Sequence, residues 1–261
     1  MTKALSAITM SGGVITCLDV AGRKRSGLIV TLRGGRTMRL LSHEDAKAFY
    51  DWFGPRQDSQ RIYEEPALSD LLAHANFGEA RSVFEFGCRT GRFVERLLSE
   101  WLTSDCRHQA ADISATMVQL AQRRLAPWRE RSQVVQTSGA MSVLAPDASF
   151  DRFIACYVLD LLSDEDTQQL LAEAHRVLAP GGLLCFVGLT HGASLSARII
   201  GGLWRVLFWL QPKVVGGCRA VVAKEYLDDG DWSVQYQNIV MRFGISSEIL
   251  VACARTSRSS S

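Results

Sequence analysis

The chain has 261 residues, 47% hydrophobic and 21% charged, the size and composition of one α/β domain with appendages. A net charge of +2 gives no global field for nucleic acid or an anionic membrane. The longest apolar stretch, 199–210, is interrupted by Gly201, Gly202 and Arg205, and falls short of the roughly 20 apolar residues that span a bilayer. The seven cysteines (Cys17, Cys88, Cys106, Cys156, Cys185, Cys218 and Cys253) contain no Cys-x-x-Cys spacing, which leaves a zinc or redox pair without support and fits reduced thiols in a cytoplasmic protein.

Residues 1–41 are rich in glycine and basic side chains (Arg23, Lys24, Arg25, Arg33, Arg36 and Arg39), with strand-like runs at 14–20 and 28–32. They read as a basic extension, a small hairpin or a loose segment, and residues 1–37 are expected to be dispensable for folding. No signal peptide is expected, because the first thirty residues lack a continuous apolar core. Ser42, with Asp45 three residues on, offers an N-cap for a helix over 46–53, stopped by Gly54-Pro55; a second helix covers 66–75.

From Ser82 the pattern alternates. Strands are expected at 82–86, 106–111, 132–137, 151–158 and 182–189, with helices at 91–102, 114–125 and 164–178. Short apolar runs alternating with longer helices predict a doubly wound, mostly parallel sheet covered on both faces. After Gly192 the regime changes to an apolar, Trp-rich helix over 195–210, then strand-like runs at 232–243 and 247–254. The short connection Gly244-Ile245-Ser246 predicts an antiparallel hairpin there. The division is therefore an extension (1–41), a main domain (42–254) and a serine-rich tail (255–261) expected to be disordered.

Open parallel sheets bind ligands at the carboxyl ends of their strands. Four such ends carry suggestive residues: Glu85-Phe86-Gly87-Cys88-Arg89-Thr90-Gly91, Asp112, Ser138-Gly139-Ala140-Met141, and Cys156-Tyr157 with Asp160. A glycine turn leading into a helix N-terminus favours an anionic group, but Glu85 beside it repels phosphate and favours a ligand with an ammonium or sulfonium. Asp112 can accept bonds from two ribose hydroxyls, cap the next helix, or do both. Arg89 stands where such turns carry another glycine. Asp151, at the opposite end of its strand, reads as structural.

The ordered segments VFEFGCRTG, AADISATMVQLA, SFDRFIACYVLDLL and HRVLAPGGLLCFV resemble class I S-adenosylmethionine-dependent methyltransferases, most closely the branch that includes ubiquinone/menaquinone-biosynthesis-like enzymes (methyltransferase type 11). The resemblance covers about residues 43–254. It implies a Rossmann-like seven-stranded sheet with the last strand antiparallel, and S-adenosyl-L-methionine as cofactor. It also implies site roles: Glu85 near the methionine end, Gly87, Cys88 and Gly91 in the loop, Asp112 on the ribose, Ile113 and Met117 flanking the adenine, Gly139 and Ala140 at its edge, and Cys156 and Tyr157 covering the cofactor from the fourth strand. Pro180-Gly181-Gly182 would be the turn before strand five. Two departures stand out. Arg89 replaces the middle glycine, so Arg89→Gly is expected to tighten cofactor binding. Gly139 replaces a frequent aspartate.

Methyl transfer from a sulfonium rests on alignment more than on acid–base chemistry. Tyr63, Asp160 and His191 are the candidates on the acceptor side, with His191 a possible general base. The expected acceptor is a small or lipid-like molecule, with the helix at 195–210 serving as an apolar lid, a peripheral membrane contact or simply a buried element. A methyltransferase-fold binding protein without turnover is the alternative. A nicotinamide enzyme lacks its Gly-x-Gly-x-x-Gly turn, and nothing suggests a metal site. A nucleic-acid acceptor has only the basic segment at 23–39 behind it.

Overall fold

A computed structural model describes residues 43–191 and 219–255, together with the backbone of five short strands before them. Those strands are β1 (Ile8–Ser11), β2 (Val14–Leu18), β3 (Lys24–Arg25), β4 (Ile29–Thr31) and β5 (Thr37–Arg39). They form a three-stranded antiparallel sheet, β1–β2–β3, and a separate hairpin, β4–β5. The strand-like runs at 14–20 and 28–32 fall on β2 and β4. The proposed cap Ser42, the helix at 195–210 and the tail at 256–261 lie outside the described residues.

The main sheet has seven strands in the order β11–β12–β10–β9–β6–β7–β8. These are β6 (Ser82–Phe86), β7 (Arg107–Asp112), β8 (Ser132–Gln136), β9 (Phe150–Cys156), β10 (Leu178–Leu189), β11 (Trp232–Arg242) and β12 (Ile245–Ala254). Strands β6 to β10 run parallel to one another; β12 pairs antiparallel with both β10 and β11. The C-terminal run is thus the expected hairpin, and it supplies the last two strands.

Burial alternates along the strands as a sheet covered on two faces requires. Val83, Ile154, Cys185, Val187, Ile249 and Val251 face α2 (Arg61–His74), α3 (Arg92–Arg96) and α4 (Ala115–Arg124). Phe84, Phe153, Leu184, Phe186, Leu250 and Ala252 face the other way, onto α5 (Asp164–Val177). Strand β7 is polar for an interior strand because Arg107 and Gln109 are solvent-exposed, while His108 is buried and bonds Ser132 Oγ at 3.0 Å. Burial, with Arg131 adding to it, pushes the His108 imidazole down to about 3, so it stays neutral in the core.

Three boundaries differ from the sequence expectation. Helix α1 (His43–Phe53) stops before Gly54-Pro55 as expected but starts three residues earlier, and the chain then continues through a 3-10 segment, Gly54–Gln60, into α2. Pro66 lies inside α2, where its missing N–H removes one intrahelical bond. The Pro180-Gly181-Gly182 turn sits within β10 as a bulge: pairing with β9 jumps from Leu178–Phe150 to Leu183–Arg152, and Gly181 takes φ +80°. Two sets of polar contacts fix the lower edge. Asp151 Oδ2 accepts the Arg81 N–H at 2.7 Å, and Arg152, on β9, donates to the carbonyls of Ala75 and Asn76 at 2.8 Å each, satisfying the C-terminal end of α2.

Candidate functional site

Successive connections leave β6 in one direction and β9 in the other, so the carboxyl ends of these neighbours form the crevice where open α/β sheets take ligands. Strand β6 ends in the turn 87–91. Gly87, Arg89 and Gly91 all have positive φ, at 74°, 52° and 74°. A Cβ on Gly87 would also stand 2.5 Å from Val158 Cγ2, and one on Gly91 would stand 3.1 Å from Ala121, so both glycines are required twice over. Arg89 holds the left-handed conformation at a cost of about 1–3 kcal/mol. Two contacts at Arg89 offset this: its N–H donates to Asp112 Oδ2 at 2.8 Å, and its guanidinium donates to both oxygens of Glu64, on α2, at 2.6 and 2.9 Å.

Asp112 ends β7. Its other oxygen accepts the Ser114 N–H at 2.9 Å, and Ser114 Oγ caps α4 by accepting the Met117 N–H at 3.2 Å. Burial pushes the Asp112 carboxyl up, opposed by those two backbone donors and by Arg89. Helix α1 closes over this corner. Asp51 accepts from Ser114 Oγ at 2.6 Å, Thr116 N–H at 3.2 Å and Lys47 Nζ at 2.9 Å. Burial opposes its ionisation, but the bonds from Ser114, Lys47 and Thr116 hold its carboxyl at about 2.

Two cavities meet at Arg89. One, a cavity of about 90 Å³, is a mainly apolar cleft under α1, walled by residues such as Tyr50, Phe86, Met141, Val158 and Leu162, with Asp112 at its edge. The other, of only about 10 Å³, is polar and bounded by Glu64, Glu85, Arg89, Thr90 and Arg92. Glu85 is 2% exposed, and its Oε2 has no hydrogen-bond partner. Burial pushes its carboxyl up to about 8; Arg89 pulls against that shift and Asp112 adds to it. The Arg89 guanidinium lies 5.6 Å over the Tyr157 ring, and Tyr157, itself at φ 56°, is pinned by a 2.9 Å bond between its hydroxyl and Ser247 Oγ.

Of the residues singled out in the sequence, Gly87, Asp112, Ile113, Met117, Gly139 and Tyr157 line the apolar cleft, and Glu85, Cys88 and Cys156 line the polar pocket. Gly91 packs beneath the turn, and Ala140 is exposed between Gly139 and Met141, which do line the cleft. The three acceptor-side candidates are not brought together. Tyr63 packs edge-to-face on Tyr157 at 6.2 Å, Asp160 is buried in the 3-10 turn after β9, and His191 is exposed where the described residues stop. None of the three lines either cavity. Sequence reasoning missed Ala46 and Tyr50 on α1, and Glu64 on α2. The aromatic run Phe49, Tyr50, Trp52, Phe53 was a usable signal for the first; a carboxylate 25 residues from its arginine gave none.

The arrangement fits a flat, largely apolar body carrying a hydroxylated ring beside Asp112 and a charged tail in the pocket of Glu85 and Arg89. Among the described residues, no group of three His, Cys, Asp or Glu side chains could hold a metal ion.

Residues 83–182 match the family model described as "Methyltransferase domain". Among curated proteins, the chain is 26% identical over 152 residues to a tRNA N(3)-methylcytidine methyltransferase of Drosophila melanogaster, covering 54% of this chain and 47% of that one. It is 31% identical over 137 residues to a malonyl-[acyl-carrier protein] O-methyltransferase of Erwinia pyrifoliae, covering 52% and 46%. The chain thus spans about half the length of these relatives. Among solved structures, a [4+2]-cyclase superposes with a TM-score of 0.64 at 15% identity, over 84% of this chain and 99% of that one. A geranyl diphosphate methyltransferase bound to sinefungin superposes with a TM-score of 0.60 at 13% identity, over 82% and 99%. At such identities the likeness establishes the fold, and a cyclase among the matches illustrates that this fold does not dictate one reaction.

Proposed function

We propose that the chain, whose residues 83–182 match a family model described as a methyltransferase domain, transfers a methyl group from S-adenosylmethionine to a small or lipid-like acceptor in the cytoplasm. The observation that carries this reading is the buried Glu85, whose Oε2 has no partner, facing the polar pocket beside a glycine cradle that an added Cβ would fill. Such a carboxylate suits the ammonium of an amino-acid tail, and Asp112 retains acceptor capacity for ribose hydroxyls beyond its two backbone donors. Met117, Ile113 and Gly139 would flank the adenine, with Tyr157 and Cys156 closing the pocket from β9.

Bound S-adenosylmethionine supplies an electrophilic methyl on a positively charged sulfur. The chain's own part is alignment and exclusion of water: the rigid turn and the closed α1 corner hold the donor still, which is where orientation contributes most to such a transfer. Tyr63, Asp160 and His191 are kept as acceptor-side proposals only. A lid or membrane role for 195–210 is likewise a proposal, and the free, buried thiols of Cys88, Cys106, Cys156 and Cys185 support a reducing compartment.

Two of the relatives are named as tRNA methyltransferases. An RNA acceptor is therefore the second reading, while the modest net charge of +2 favours the small acceptor. Isothermal titration with S-adenosylmethionine is expected to give a dissociation constant in the micromolar range. Absence of heat at millimolar cofactor overturns the enzyme reading. Transfer of labelled methyl to tRNA in preference to a lipid or small-metabolite extract replaces the small acceptor with RNA.

A further inference from the structure

The arginine that interrupts the glycine turn occupies a defined place in the site. Its side chain is 17% exposed and borders both cavities. Glu64 takes Nη1 and Nη2, one end of a planar group that presents five N–H donors. Among the described residues Nε–H carries no hydrogen bond, so the second fork, formed by Nε and an outer Nη hydrogen, remains open. Tyr157 lies against the guanidinium face and Glu64 is 1% exposed, so the group is fixed in orientation rather than free to rotate into solvent. Across the same polar pocket stands Glu85 with its bare Oε2. A carboxylate acceptor and an open guanidinium fork bordering one small pocket form a receptor for a zwitterion.

We propose that Arg89 reads the carboxylate of the cofactor's amino-acid tail through its open fork, with Glu64 as the positioning residue that holds the guanidinium in place. This rests on the reading of the cleft as an S-adenosylmethionine site and goes beyond it. It turns the apparent defect in the glycine turn into a specificity element, and it reverses the expected effect of removing the arginine: Arg89→Gly weakens binding of ligands that carry the carboxylate.

The test is calorimetric and independent of turnover. Wild-type protein is titrated with S-adenosylhomocysteine, with its decarboxylated analogue, which keeps the amine, and with 5′-methylthioadenosine, which has neither group. The decarboxylated compound is expected to bind on the order of 10- to 100-fold more weakly than S-adenosylhomocysteine, the size of a charge-assisted bidentate contact. Removing Arg89 alone leaves the buried Glu64 with only a 3.5 Å contact from Arg92, so the variant is Arg89→Met combined with Glu64→Gln, with Arg89→Lys as a second, charge-preserving variant lacking the fork. In the double variant the two tailed ligands are expected to converge to within about threefold, with 5′-methylthioadenosine binding as in wild type, and Arg89→Lys is expected to fall between. Equal binding of the two tailed ligands by the wild type, or a ratio that survives in the double variant, overturns the inference while leaving the cofactor site intact. Failure of all three adenosine ligands to bind the wild type overturns the cofactor reading, and the inference with it.

Discussion

Glu85 concentrates the electrostatics of the site. A carboxyl held at about 8 against an ordinary value of 4.5 keeps its proton in the native state across that interval, whereas the unfolded chain has released it. The native state binds more protons between the two values, so stability falls as pH rises from about 4.5 to about 8, by at most about 1.4 kcal/mol per pH unit. Glu85→Gln removes this slope. Urea midpoints at pH 5, 7 and 8.5 are expected to show the variant holding its stability where wild type loses it, and parallel profiles would show that Glu85 is not the group responsible. The same proton couples to ligand binding. An ammonium demands the ionised carboxylate, so cofactor binding below pH 8 is expected to release a proton, visible as a dependence of the binding heat on the buffer's ionisation enthalpy and lost in the variant.

At the scale of elements, the site depends on α1 being held over α4. Asp51 joins them, bonding both the cap hydroxyl of Ser114 and the N–H of Thr116. Its carboxyl, held at about 2 against an ordinary 3.8, contributes stability that is present above the unfolded value and lost as pH falls from about 4 to about 2. Asp51→Ala is expected to cost roughly 1–2 kcal/mol, the size of a lost helix-terminal acceptor. It is also expected to weaken adenosine binding, because Ala46 and Tyr50 on α1 wall the apolar cleft. Thermal melts and titration with 5′-methylthioadenosine measure the two effects; a destabilised variant with unchanged affinity would make α1 a packing element only. None of this was visible in the sequence, since a contact across 63 residues between an aspartate and a serine leaves no periodic trace. What could be read was local and repeated: Ser82–Phe86, Phe150–Cys156 and the glycine turn each carried their own signature, and strand alternation ordered them. The same limit applies to Glu64 and Arg89. The sequence marked the arginine as out of place; its partner came from a helix whose start, five residues before Pro66, the proline concealed.

For the whole molecule, the folding unit is larger than the conserved-looking span of motifs. Residues 83–182 hold β6 to β9 but cut β10 after its bulge, and they omit α2, β11 and β12. Yet α2 places Ala67, Leu68, Leu71 and Leu72, each 0–2% exposed, in the same core as Ile249 and Val251 of β12. Strand β12 is buried along nearly its whole length between β10 and β11. Truncation to 83–182 would uncover the part of one sheet face that α2 packs on and leave the stub of β10 as an unpaired edge, the condition under which parallel strands aggregate. The chain 43–255 retains every element of the seven-stranded sheet and the helices packed on it. It is expected to unfold in one cooperative transition by far-ultraviolet circular dichroism, with a midpoint within a few degrees of the 261-residue chain, whereas 83–182 is expected to give no cooperative transition. A sharp melt from 83–182 would show that α2 and β12 are accessories to a self-sufficient core. Failure of 43–255 to fold where the longer chain does would make the basic N-terminal strands part of the folding unit, against their expected dispensability.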